Sequence, residues 1–334
     1  MFVFPAQKSQ PLLAISTSLL VLMGFESAQA QTFGIGVTGS SPNLGNIAAA
    51  VSGDTVFRVT PSGEISKLSG DGARVSAGSS TVTVTVTCGN QNDCNSRTLT
   101  GTISSVGSPT GRAGSLTNFD VAGQTVASES GSNTRTFTFG PIGKNGAKTF
   151  TVGMDFPIKG DNSGQSSGPA SASFAITLTP NGKGNTVSTT GAATATVLRS
   201  LSLQKTSDLA FGRIVRPSSG SGTVTVSTSG QRSLSSPDII GLPTPSTSAA
   251  SYTVKGEGGR TLSINVPTSV VMTRQGGSDK LTVTTTNTIS APALSAAMGQ
   301  QGSYGFSVGG SFPISSTTAP GAYSGVFTVT AAYN

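Results

Sequence analysis

Phe150-Thr-Val-Gly-Met-Asp-Phe-Pro-Ile158 returns 156 residues later as Phe306-Ser-Val-Gly-Gly-Ser-Phe-Pro-Ile314. Each copy places apolar residues two apart before a Phe-Pro-Ile ending, the period of a half-buried strand. Two more landmarks recur in the same order. Upstream, Leu44-Gly-Asn-Ile47 with Thr55-Val56-Phe57 matches Phe211-Gly-Arg-Ile214 with Thr223-Val224-Thr225, beginning at a spacing of 167. Downstream, Gly168 and the run through Phe174 match Gly321 and the run through Phe327, at a spacing of 153. Repetition of this kind marks a duplicated structural unit, and the shrinking spacing places extra residues in loops of the first copy.

The same alternation continues outward from the repeat. It runs through Thr81–Thr87 (TVTVTVT), Thr134–Phe139 (TRTFTF), Ser173–Thr179 (SFAITLT), Thr223–Ser227 (TVTVS), Thr261–Val266 (TLSINV) and Gly325–Ala331 (GVFTVTA). Between these runs lie Gly, Ser, Asn and Pro, and Gly alone contributes 44 of 334 residues, about twice ordinary usage. No segment has the blocks of Leu, Glu, Lys and Gln that long helices need, so a helical bundle is excluded. The pattern predicts an all-β chain of two antiparallel β-sandwich domains in tandem. A membrane barrel would need aromatic girdles, which a chain with no Trp and 4 Tyr supplies poorly.

Residues 1–30 read as a signal peptide, with Lys8 at the positive start, Pro11–Phe25 as the apolar stretch and Ala28-Gln29-Ala30 as the cleavage site. Export to the periplasm, the outer cell surface or the extracellular space is therefore expected. No later run approaches the length of a membrane span, so no transmembrane anchor is expected. The Gly- and Thr-rich stretch Asn181–Gly191 (NGKGNTVSTTG) is read as a linker, dividing an N-terminal sandwich with a Cys loop, 31–190, from a C-terminal sandwich, 191–334. Leu201, Leu203, Phe211, Ile214, Val224, Val226, Ile264, Phe306, Val308 and Phe327 are expected to feed the second core.

Composition narrows the chemistry. The chain has no His, so Ser-His-Asp, Cys-His and zinc-hydrolase sites cannot be assembled from it, and neither catalytic residues, cofactor nor metal are expected. The net charge of +7 is spread over single residues such as Arg58, Lys67, Arg74, Arg97 and Arg112, without the clustered basic and aromatic surface that nucleic acid requires. Gly34-Ile-Gly-Val-Thr-Gly39 fits a dinucleotide fingerprint in letters only, because no helix pattern follows it. Its alternating Phe33, Ile35 and Val37 instead suggest an extended strand, pairing in its own domain or with a neighbour. Cys88 and Cys94, in an exported chain, are read as a disulfide closing a short loop, the alternative being two unpaired thiols.

The C-terminal half carries a further set of residues: Ala193-Thr-Ala-Thr-Val197, Leu201-Ser-Leu203, Asp208-Leu-Ala-Phe-Gly212, Tyr252-Thr-Val-Lys-Gly256 and Gly321-Ala-Tyr-Ser-Gly325, ending in Tyr333-Asn334. Together these resemble the secreted bacterial family known as domain of unknown function 4402 and, more loosely, pilin-like and spore-coat-U-like subunits. The resemblance implies immunoglobulin-like or pilin-like sandwiches without known catalysis. Pilin-like subunits place a Gly fourteen residues from the end and an aromatic at the penultimate position, and Gly321 and Tyr333 stand there in this chain. That likeness implies a partner-strand edge built from Gly321, Tyr323, Phe327, Val329 and Tyr333, to be paired by like subunits or by a periplasmic chaperone of a chaperone and usher system, with Gln31–Thr38 as a candidate complementary segment. The expected function is a non-enzymatic structural or adhesive protein of the cell surface, a fimbrial-type subunit or tip that uses strand pairing. The alternative is a secreted module that recognises a surface glycan or protein through loops of the first domain.

Overall fold

Val82, Val84 and Val86 are each 0% exposed while Thr83, Thr85 and Thr87 between them keep contact with solvent, so the alternation read at Thr81–Thr87 is a strand lying on a core. The computed structural model describes residues 33–38, 41–76, 81–182 and 184–334. The expected signal peptide and the cleavage site lie outside these residues. Among them the only helical pieces are two 3-10 turns, Asn92–Asn95 and Asp161–Ser163. Among the described residues no helix is long and apolar enough to cross a membrane.

The first sandwich uses β1 (Phe33–Thr38), β2 (Asn43–Ala48), β3 (Thr55–Val59), β4 (Ile65–Ser69), β5 (Ala73–Arg74), β6 (Val82–Cys88), β7 (Leu99–Thr110), β8 (Thr117–Ala122), β9 (Val126–Ser130), β10 (Thr134–Phe139), β11 (Ala147–Ile158), β12 (Gly168–Pro180) and β13 (Val187–Leu198). One sheet runs β1-β6-β11-β3-β4, with β8 on the other side of β11, and the second runs β5-β2-β13-β12-β7-β10-β9. Every pairing is antiparallel except the parallel contact of β13 with β2. The two sheets share one core, where Phe150 of β11 meets Phe137 and Phe139 of β10 edge-on at ring distances of 5.1 and 4.9 Å.

The second sandwich uses β14 (Ser202–Ser207), β15 (Ile214–Val215), β16 (Ser221–Val226), β17 (Arg232–Leu234), β18 (Ile240–Gly241), β19 (Ala250–Glu257), β20 (Leu262–Asn265), β21 (Ser269–Arg274), β22 (Lys280–Asn287), β23 (Gln301–Ser315), β24 (Tyr323–Ser324) and β25 (Thr330–Tyr333). Its large sheet repeats the first: β14-β19-β23-β16-β17 matches β1-β6-β11-β3-β4, and β22 lies on β23 as β8 lies on β11. The repeated nonapeptide is thus the central strand of each large sheet. Opposite it, where the first sandwich has a seven-stranded sheet, the second has two separate pairs, β15 with β18 and β20 with β25.

The linker expected within Asn181–Gly191 is a turn followed by a strand. β13 pairs with β12 from Gly168↔Val197 to Phe174↔Gly191 and Leu178↔Val187, so Gly191–Leu198 complete the first sandwich instead of opening the second. The sequence disguises this strand because its inward positions are small, with Ala193 and Val197 at 0% exposure and Ala195 at 5%. The chain passes between sheets over Arg199–Leu201. Of the expected second-core residues, Val224, Val226, Phe306 and Val308 are buried, whereas Leu201, Leu203, Phe211, Ile214, Ile264 and Phe327 are only half-buried.

A two-domain reading with this corrected boundary makes a direct prediction. A fragment of residues 31–198 is expected to give strand-type circular dichroism and a cooperative melt. A fragment ending at Pro180, which lacks β13, is expected to lose that cooperativity because β12 and its buried face are uncovered.

Candidate functional site

β12 is covered on both sides, by β7 and by β13, and its inward residues Phe174, Ile176 and Leu178 are each 0% exposed. The matching stretch of the second sandwich is built differently. β25 pairs with β20 from Leu262↔Tyr333 to Asn265↔Thr330, and among the described residues no strand pairs with its other side. Phe327, Val329, Ala331 and Tyr333 pack on the buried cluster of Tyr252, Val254, Phe306 and Val308, yet all four stay half-buried. The core below is ordered, with Tyr252 stacked on Phe306 at 5.1 Å. A free backbone edge beside a partly covered apolar face is the usual template for strand addition.

The expected edge from Gly321 to Tyr333 is not one strand. Tyr323–Ser324 pair with Thr273–Arg274 of β21, and no strand pairing among the described residues includes 325–329. The Tyr323 hydroxyl donates to the Ala319 carbonyl at 2.8 Å. Its ring and Gly321 line a groove of ≈ 960 Å³ with Leu209, Phe211, Ile214, Met272 and Phe312. Phe211 meets Phe312 edge-on at 4.9 Å along this groove. Sequence reading missed it because its walls come from six separate stretches, although the run Asp208-Leu-Ala-Phe-Gly212 names part of it.

Tyr333 anchors the far end of the edge. Its hydroxyl accepts from the Glu257 amide at 2.6 Å and donates to the Arg199 carbonyl at 2.9 Å. Glu257 is wholly buried, and its carboxylate accepts from the amides of Arg199, at 3.1 Å, and Gly299. One residue further, the amide and hydroxyl of Ser200 donate to Asp161 at 2.9 and 2.6 Å, and Asp161 also receives the buried Arg112. Burial pushes the Asp161 carboxyl up, but the Ser200 and Arg112 donors outweigh it and leave the group below the usual carboxylate range. Burial raises the Tyr333 phenol above its ordinary value, with the Glu257 and Asp161 charges adding to the rise.

Cys88 and Cys94 are disulfide-bonded. The loop they close is held against the turn before β11, where Gly143 donates to the Cys94 carbonyl at 2.8 Å and Asn145 to the Gly89 carbonyl at 3.0 Å. Phe33 of β1 pairs opposite Cys88, and the whole of β1 pairs with β6, so the segment Phe33–Thr38 of the candidate complement is a strand of its own sandwich. Among the described residues no group of three or more His, Cys, Asp or Glu could hold a metal ion.

Residues 201–333 match a family model described as Domain of unknown function (DUF4402), in agreement with the resemblance read from the C-terminal half. No curated protein sequence matches the chain. Among solved structures, the chain is similar to one from the CsuC-CsuE chaperone-tip adhesion subunit pre-assembly complex of archaic chaperone-usher Csu pili of Acinetobacter baumannii, at 10% identity and TM-score 0.27, covering 89% of this chain and 99% of that one. A second is from a chaperone-tip adhesin complex of CFA/I fimbriae biogenesis, at 10% identity and TM-score 0.25, covering 89% and 97%. Likeness at this level says nothing about function.

Two predictions follow from these contacts. Tyr333→Phe removes both hydroxyl bonds and is expected to cost about 1–2 kcal/mol in urea unfolding. Because the folded phenol titrates above its unfolded value, its stabilisation is complete below pH about 10 and is lost as pH rises through the folded value, an alkaline loss that Tyr333→Phe should lack. Separately, replacing Cys88 and Cys94 by Ser should lower stability by about 2 kcal/mol, the modest effect of so short a closed loop.

Proposed function

We propose that this chain is an exported, non-enzymatic structural subunit of a bacterial cell-surface assembly, and that its second sandwich receives a strand from a partner polypeptide at the free edge of β25. One observation carries the reading: the same sheet position is filled by β13 in the first sandwich and by no described residue in the second. The half-buried Phe327, Val329 and Tyr333 supply the alternating pockets that such a strand would cover, while the unpaired backbone supplies the ladder. A like subunit or a periplasmic chaperone could present that strand.

Phe327→Ser tests the reading in cells. The substitution should cost about 1–3 kcal/mol, given that the ring is only half-buried, and leave the isolated protein folded. Its incorporation into surface material, measured by shearing and immunoblot, should fall several-fold. Leu68→Ser, at an apolar residue of β4 that is 53% exposed, should assemble normally. Normal assembly of a folded Phe327→Ser protein would overturn the proposal.

A further inference from the structure

We infer that the strand received beside β25 comes from a different polypeptide, runs antiparallel to β25, carries glycine opposite Phe327, and places a bulky apolar residue six positions beyond that glycine. This rests on the strand-accepting reading above and specifies its partner.

The first sandwich provides the template. β13 runs antiparallel to β12 and parallel to β2, with Gly191 opposite Phe174. A Cβ built on Gly191 would lie 2.4 Å from Cζ of Phe174, so the ring rests directly on the glycine backbone and any side chain there would displace it. The same pairing occurs once more in that sheet, where Phe137 is opposite Gly101 and a Cβ would lie 2.3 Å from the ring. Phe327 stands where Phe174 stands, at the constant spacing of 153, and packs on the matching core. Its ring needs the same bare backbone to lie on.

Beyond Gly191, the inward residues of β13 are Ala193, Ala195 and Val197, opposite Ala172, Ala170 and Gly168. Their track in the second sandwich passes Gly325, Tyr323 and Gly321. In the first sandwich Thr194–Leu198 lie between β2 and the start of β12. The equivalent place, between Ala210–Val215 and Gly321–Tyr323, is the ≈ 960 Å³ groove, whose apolar walls can hold more than the valine found at position 197 of the template. A Leu, Ile or Phe at that point of the incoming strand would meet Phe211, Ile214 and Phe312. Phe33–Thr38 of a second copy is not free to be that strand, because β1 is paired along its whole length with β6 of its own sandwich.

The test extends the mature chain, 31–334, by a copy of residues 182–198 placed after Asn334, which reproduces the β12–β13 connection. Backbone amides of 325–331 should then exchange at least about 100-fold more slowly than in the unextended chain. Within the copy, Gly191→Leu should abolish that protection and Val197→Leu should keep or increase it. Equal protection by the Gly191→Leu copy would overturn the glycine register while leaving strand acceptance standing. No protection by any copy would overturn both. Protection of the unextended chain by a free peptide of residues 31–38, to the same degree, would overturn the assignment to a different polypeptide.

Discussion

Eleven paired positions between β12 and β13 close the first sandwich, and most of the structure is arranged around whether that ladder exists. Main-chain amides and carbonyls buried beside a core need partners, and a strand that has them on both sides can press its inward residues fully out of water. In the first sandwich this is complete, and the phenylalanines of two sheets interlock. In the second, the six strands of the large sheet recur in the same order with β21 and β24 added beyond β22, yet the facing layer breaks into two short pairs. Loss of one ladder thus accounts for the short β20 and β25, the unpaired 325–329 and the half-exposed apolar residues beside them.

Duplication makes this contrast informative. Both halves carry the same central strand, the same neighbours on each side of it and the same switch from β6 to β3, or from β19 to β16, along one side of that strand. What differs between them is therefore not a difference of fold class. The first half is its own reference for how the second half would look when covered, including which side chains would be buried and where a glycine is required.

Much of this could be read from residues alone, because period-two alternation and a repeated nonapeptide are strong signals. Val82, Val84 and Val86 and the Phe150 and Phe306 strands lie where the pattern put them. β13 escaped because Val187–Leu198 is mostly Ser, Thr, Ala and Gly, a composition shared by linkers, and only its pairing reveals it as a strand. The reading of Gly321–Tyr333 as one strand failed for a different reason: alternation reports which side chains share a face only while the backbone stays extended and paired, and here the partner of 325–329 is missing. The groove was beyond sequence reading, since proximity of Phe211, Met272, Phe312 and Tyr323 is a property of the assembled sheets.

The passage from Leu198 to Ser202 has a mechanical consequence. The second sandwich hangs from the end of β13, a strand gripped by β12 on one side and by β2 on the other. Its hydrogen bonds lie across the strand direction, so a pull along β13 loads many of them at once in shear instead of opening them one after another. Asp161 and Ser200 add a lateral clamp at the point where the load enters. The joint between the two halves is thereby suited to bearing tension, whereas the four-residue ladder of β20 with β25 offers far fewer bonds to a pull on the last strand.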